Sequence, residues 1–363
     1  MVKKDSAYQG CLLGLAAGDA LGYTVDSKSL ADIRAYYGQK GLMGYDLRGD
    51  FADVTSYTQV AAFVANGLLL ALTRQQRSAY LRCAALALRE WALCQNLRRE
   101  PEDTRCWISR VSSLRHRCCM DTRMPDALSR ETLGTTAAPV NASNHPGSLT
   151  AAVAVGLFFD ESRMEPQQIG QLGAGVVALT HGSPEAFLSG AALAYSVAGI
   201  LQEPERPFKE QFLQAASAMR SQFQRQFPMA EAVAARMEKA VALAGASQLP
   251  TAEVMERLAC GTASECLAGA IYASLVSADD FDAAMILAVN HSGHSAAVGA
   301  LTGALLGARL GAEALPGFYV DALEHPAVLR QLGTDLAQDR MAIRIFDDDW
   351  DQKYVQGRPV EIN

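Results

Sequence analysis

The chain has 363 residues, half of them hydrophobic, with aromatics at 7% and a formal net charge of −7. That is enough apolar material for a large core, and the charge excludes the basic face of a general nucleic-acid binder. Alanine and leucine dominate while runs of valine and isoleucine are scarce, a helical composition. The eight cysteines form no CxxC pair and lie mostly in apolar helical patterns, the usage of buried reduced thiols in a cytoplasmic protein. The opening MVKKDSAYQGCLLGLAAGDALG is broken by Asp19 and by glycines and does not read as a signal peptide. The glycine-rich run 298–311 is too short for a bilayer span, and no membrane partner is expected.

Residues 8–22 read as a helix with Gly10, Gly14 and Gly18 on one face, spaced for close helix contact. Asp19 is a lone acid there, expected to be a satisfied buried carboxylate that caps a neighbouring loop. Residues 23–54 carry Gly38, Gly41, Gly44 and Gly49 and read as loop, with Asp26 soon after the helix end. An apolar helix follows over 53–74, with Asp53 or Thr55 as N-cap. Leu81, Ala85, Leu88 and Trp91 set helical spacing over 78–97. Residues 98–124 are arginine-rich and read as a solvated surface, the alternative being a phosphate-facing patch of Arg105, Arg110, Arg115, Arg117 and Arg123. Cys106, Cys118, Cys119 and His116 there match no zinc spacing.

The polar loop 134–150, GTTAAPVNASNHPGSLT, precedes the helix AAVAVGLFF. That order suits an anion at a helix N-terminus, or an ordinary connection. The helix over 166–180 ends at His181 and Gly182, and Ser183 with Pro184 starts the next, over 185–202. Residues 207–245 are amphipathic and peripheral, 251–277 include a buried helix, and 313–340 add two short helices. The stretch 290–311, NHSGHSAAVGALTGALLGARLG, puts two histidines, two serines and a glycine at the head of a small-residue apolar helix. It reads as a central buried helix whose N-terminus favours an anion or a ligand oxygen. The acids around Trp350 lack the glycine and ligand spacing of an EF-hand and read as a solvated tail or partner-binding segment. The expected architecture is one all-α domain over 1–340, with an acidic C-terminal tail at 341–363.

Six stretches occur together in a recognisable order: GCLLGLAAGDALGYTVD, VTSYTQ, GSLTAAVAVGLF, ALTHGSP, GTASECLAGAIYASL and AVNHSGHSAAVGALTGALLGA. Over residues 8–316 the sequence resembles the ADP-ribosylglycohydrolase family, which includes the dinitrogenase-reductase-activating glycohydrolases. The resemblance implies a single orthogonal multi-helix bundle. It implies two magnesium ions in a central cleft, holding the ribose of ADP-ribose and a water or hydroxide. The reaction implied is hydrolysis of the bond from ADP-ribose to an arginine or a serine. It also implies a substrate lining at Gly147, Ser148 and Leu149, at His181 and Gly182, and at His291, Ser292 and Gly293.

The sequence departs from that pattern at the chemistry. The motif that resembles Thr-Asp-Asp-Thr reads Thr55-Ser56-Tyr57-Thr58. The motif that resembles Gly-Asp-x-Asp-[Ser/Thr] reads Gly293-His294-Ser295-Ala296-Ala297. Ser56, Tyr57, His294 and Ala296 stand where four carboxylates would be, and Ala297 removes a hydroxyl. Asp26 replaces a glutamate and is one methylene shorter. Neutral hydroxyls and an imidazole do not offset two dications in a buried cleft, so neither magnesium nor another cofactor is expected. A softer ion would require Asp53, Tyr57, His291 and His294 to converge. Three functions follow, in order. The first is a pseudoenzyme that binds ADP-ribose, an ADP-ribosylated protein or another nucleotide-like ligand. The second is a hydrolase with a rebuilt, magnesium-independent site, with Asp26 and His294 as catalytic candidates beside Asp19, Asp53 and His181. The third is an interaction protein with a filled cleft.

Overall fold

The computed structural model describes residues 4–47, 49–73, 79–96, 104–111, 114–118, 120–246, 248–324, 326–338 and 348–359. Among them are seventeen α-helices and no strand beyond an isolated parallel bridge between Ala52 and Leu323. The centre is an antiparallel pair, α1 (Lys4–Tyr23) and α14 (Ser295–Leu310), in the most extensive contact of the molecule. Glycines every fourth residue on both helices interlock: Gly10 meets Gly307, Gly14 meets Gly303 and Gly18 meets Gly299. A Cβ on Gly14 would lie 2.1 Å from the Gly303 carbonyl oxygen, and one on Gly18 would lie 1.9 Å from that of Gly299. The obstacles are backbone atoms, which cannot rotate away, so only hydrogen fits along this seam.

Around that pair, α3 (Ser56–Thr73) lies on α4 (Tyr80–Asn96) and α6 (Ala151–Phe158), and α7 (Pro166–Ala178) lies on α8 (Pro184–Gln202). Helices α9 (Phe208–Phe223) and α10 (Met229–Ala246) flank α8, and α12 (Ala263–Val276) bridges α10 and α14. The shorter α11 (Thr251–Leu258) and α13 (Phe281–Val289) lean on α12. The remaining short helices are α2 (Leu30–Tyr37), α5 (Arg123–Leu128), α15 (Gly317–Val320), α16 (Pro326–Ala337) and α17 (Asp348–Tyr354). By length and composition α3 and α8 are apolar enough to cross a bilayer, yet 94% and 72% of those windows are buried inside the bundle, as core helices are. Cys11, Cys94, Cys106, Cys260 and Cys266 are buried thiols, and burial pushes Cys94 up to about 11.

Four sequence expectations change. Helix α2 interrupts the predicted loop 23–54, because Ser29 accepts from the Asp32 N–H and caps it. The amphipathic stretch 207–245 divides into α9 and α10, separated by a break that contains Pro228. The stretch 251–277 divides where Ala259 and Cys260 take φ values of 65° and 51°. The C-terminal stretch docks on the bundle where it is described, although Asp348, Asp349 and Asp351 stay exposed. Lys353 Nζ lies 2.7 and 2.8 Å from the buried Asp335 carboxylate, Tyr354 donates to the same group, and Trp350 donates to Thr73. Its aromatic rings and one matched ion pair dock it despite the acids around them. Cys119 and residues 341–347 lie outside the described residues.

Candidate functional site

The glycine seam delivers the C-terminal end of α1 to the N-terminal end of α14, where Gly22 meets Ser295. Two carboxylates of the α1 end then act as caps in trans. Asp19 accepts from the N–H and hydroxyl of Thr55 and from the N–H and hydroxyl of Thr58, at 2.6 to 3.0 Å. It caps α3 as a buried carboxylate, and burial raises it to about 6 against those four donors. Asp26, on the turn after α1, accepts from the Ala296 N–H at 2.9 Å and sits at the positive end of α14. His294 Nδ1 is 3.7 Å from its other oxygen.

The turn 290–294 is held by its backbone. The Asn290 side chain accepts from Leu42 N–H and donates to Leu42 carbonyl, which pins the loop before α3. Ser292 Oγ accepts from Leu30 N–H, Gly293 carbonyl accepts from Ser27 N–H, and His294 N–H donates to Cys260 carbonyl. His291 is buried, neither ring nitrogen makes a hydrogen bond of normal geometry, and burial lowers it to about 4. Ser292 is exposed and Gly293 partly so.

The residues at the positions that the resemblance assigns to magnesium do not fit that ion. Ser56 Oγ accepts from Met120 N–H, and the hydroxyls of Thr55 and Thr58 both point at Asp19. Tyr57 is a buried phenol whose Oη has no hydrogen-bond partner, and burial pushes it well above its ordinary value. Ala296 and Ala297 are buried and carry no donor atom, and the N–H of Ala296 is held by Asp26. Hard dications require several oxygen ligands, mostly carboxylates. Asp26 is the one carboxylate here besides Asp19, and its oxygens already accept from the Ala296 N–H and the Ser27 hydroxyl.

A second polar group lies beside this turn, on residues 120–123, 145–148 and 180–182. His181 Nε2 is 2.9 Å from Asp121 Oδ2, and its Nδ1 is 2.8 Å from Ser148 Oγ and 2.9 Å from Thr180 Oγ1. Arg123 Nε donates to Asp121 Oδ1 at 2.7 Å. Burial raises the Asp121 carboxyl, but hydrogen bonds from His181 and Arg123 and the nearby His145 outweigh it and hold it well below the ordinary carboxylate range. His145 Nδ1 is 3.3 Å from the same oxygen, and its ring stands 4.4 Å from that of His294. Burial, then His294, lowers His145 to about 4. Ser148, His181 and Asp121 make the contacts of a nucleophilic relay. Ser148 and His181 are fully buried, however, so the arrangement fixes the imidazole and offers no hydroxyl to a substrate.

Two of the predicted lining groups therefore lie within this network: Gly147, Ser148 and Leu149 before α6, and His181 with Gly182 after α7, all buried. Gly182 is required there, since its Cβ would lie 2.1 Å from the Asn141 carbonyl oxygen. Asp26, His145 and His294 form the partly open face, with side chains 9%, 15% and 21% exposed. Asp53 is exposed on the small cleft by Tyr23 and Phe51, apart from this group. Asp121 and His145 are missed by sequence reasoning. The signals available were a histidine immediately before Pro146 in a loop already singled out, and an acid two residues before Arg123 at the end of the arginine-rich run.

The sequence profile of the ADP-ribosylglycohydrolase family matches residues 2–345. Among solved structures, one described as an ADP-ribosylglycohydrolase-related protein complex superposes with a TM-score of 0.59. It covers 92% of this chain and 98% of its own, at 24% identity, which is a likeness of fold. Among curated proteins none matches. With the profile spanning nearly the whole chain and the helical bundle matching, this protein belongs to the ADP-ribosylglycohydrolase family.

Proposed function

We propose that this protein recognises an ADP-ribosyl group, free or attached to a protein, without the two-magnesium hydrolytic centre of its family. The observation that carries the reading is the donor set at the former ligand positions. Ser56, Tyr57, His294 and Ala296 supply no carboxylate, and their backbone is engaged by Cys118, Thr150, Cys260 and Asp26. Support for a ligand comes from the polar side chains that stay partly open beside this turn. Asp26 Oδ2, His145 and His294 are the groups at the partly open face that would meet ribose hydroxyls.

Calorimetry with ADP-ribose, with and without magnesium, tests this. Binding of equal affinity in both buffers is expected. Magnesium-dependent binding, or magnesium-dependent turnover of ADP-ribosyl-arginine, contradicts it. A second reading has one observation in its favour: Tyr57 is packed into the centre, which suits an interaction protein with a filled cleft. No binding of ADP-ribose in either buffer would select that second reading.

A further inference from the structure

We propose that Asp121, His145 and His181 bind one transition-metal ion of the zinc class, with the remaining coordination position open toward His294. One carboxylate oxygen and one nitrogen from each imidazole all lie within 4.8 Å of one another, the one such group among the described residues. Asp121 Oδ2 is 2.9 Å from His181 Nε2 and 3.3 Å from His145 Nδ1. Ligand atoms at about 2.0–2.2 Å from a tetrahedral zinc stand about 3.3–3.5 Å apart. The two carboxylate–imidazole separations are within about 0.6 Å of that spacing, and the imidazole nitrogens lie within 4.8 Å of each other.

The surroundings orient these atoms as metal ligands are oriented. Ser148 Oγ lies 3.5 Å from the Val177 carbonyl and 2.8 Å from His181 Nδ1. A carboxylate only accepts, so Nε2 carries the proton toward Asp121 Oδ2 when no ion is bound; coordination would release that proton, with Ser148 Oγ then accepting from Nδ1–H. Arg123 holds the other carboxylate oxygen and leaves Oδ2 facing the two histidines. His145 Nδ1 accepts from the Gly147 N–H at 3.0 Å, so it carries no proton, and it lies 3.3 Å from a carboxylate oxygen. Its one lone pair would exchange that hydrogen bond for the ion, and a cation between nitrogen and carboxylate relieves their repulsion. Two imidazoles and one carboxylate suit zinc or cobalt over magnesium. Three protein ligands and one open position form the arrangement of a reactive zinc site, whereas structural sites are closed. The route in passes the partly exposed rings of His145 and His294. Ligand recognition as proposed above is not needed for any step of this inference.

The test uses the full chain, stripped with a chelator and free of nucleotide. Zinc chloride is titrated by calorimetry, and cobalt chloride by visible absorption. One ion per chain and cobalt bands of a four-coordinate site are expected. His145→Ala, on the accessible flank, should fold normally and weaken zinc binding by more than the about 10–100-fold that losing an outer-shell partner causes. Asp121→Asn should do the same, and Glu253→Gln, at an exposed carboxylate of α11, should leave affinity unchanged. Absence of stoichiometric zinc and cobalt binding in the wild type overturns the proposal. So does binding that persists unchanged in His145→Ala, which decides the matter even if Asp121→Asn does not fold. Magnesium binding as tight as zinc overturns the assigned class of ion.

Discussion

The seam between α1 and α14 and the turn at its end hold information of different kinds. Along the seam, backbone faces backbone at Gly14 and Gly303, and no side chain is tolerated. At 290–297 the turn is pinned by Leu42, Ser27 and Cys260, while the His294 ring meets Asp26 and His145 at the partly open face. On the proposed reading scaffold and chemistry are separable, since the contacts that hold the turn do not depend on a carboxylate at 294 or 296. A family likeness carried mainly by such scaffold reports the fold more firmly than the reaction.

The contrast can be broken from either side. The largest effect is expected at the seam. Gly303→Ala, whose Cβ would lie 1.9 Å from the Gly14 carbonyl oxygen, should cost about 3–5 kcal/mol. Gly199→Ala in α8, where a Cβ meets nothing within 4 Å, should instead gain up to about 1 kcal/mol. Urea midpoints at constant m read both. Next is Asp19→Ala, which leaves the N–H groups of Thr55 and Thr58 unsatisfied and should cost about 3 kcal/mol near pH 5. The folded carboxyl is raised to about 6, so its contribution is full below the ordinary value of 3.8 and falls as pH rises through about 6. The gap between wild type and variant should shrink over that window, and a gap that widens would place the folded value below the ordinary one. His291 has the opposite sign. Its neutral form is favoured by burial, so its contribution is present above 6.5 and is lost as pH falls toward about 4. Relative to His291→Leu, the wild type should lose about 2–3 kcal/mol between pH 7 and 4 in denaturant melts. The smallest effect is expected at the partly open turn. Asp26→Ala removes one cap from α14 and should cost about 1 kcal/mol, seen as a small shift in melting temperature.

Much of the seam was legible in the sequence. Glycines recur every fourth residue in both helices, and Asp19 stood out as an acid that an apolar helix must satisfy. Which glycine meets which is a tertiary fact that spacing within one helix does not contain. The Asp121 and His181 pair was not legible, because those residues are 60 apart and meet only when α3, α6 and α7 are assembled. Asp121 also lay in an arginine-rich run whose average character suggested solvent. The α17 stretch misled in the same way: four acids concealed Lys353, whose partner Asp335 lies on another helix. The Ser29 cap of α2, in contrast, is a local signal, with its Asp32 three residues on, that the loop reading of 23–54 passed over.

The central claim is that the family's two-magnesium centre is gone while its scaffold remains. Calorimetric titration of magnesium into the wild-type chain, with ADP-ribosyl-arginine hydrolysis followed in the same sample, addresses it directly. The account predicts no saturable magnesium binding and no magnesium-dependent turnover in a protein that melts cooperatively. Saturable binding of two magnesium ions accompanied by hydrolysis would contradict it.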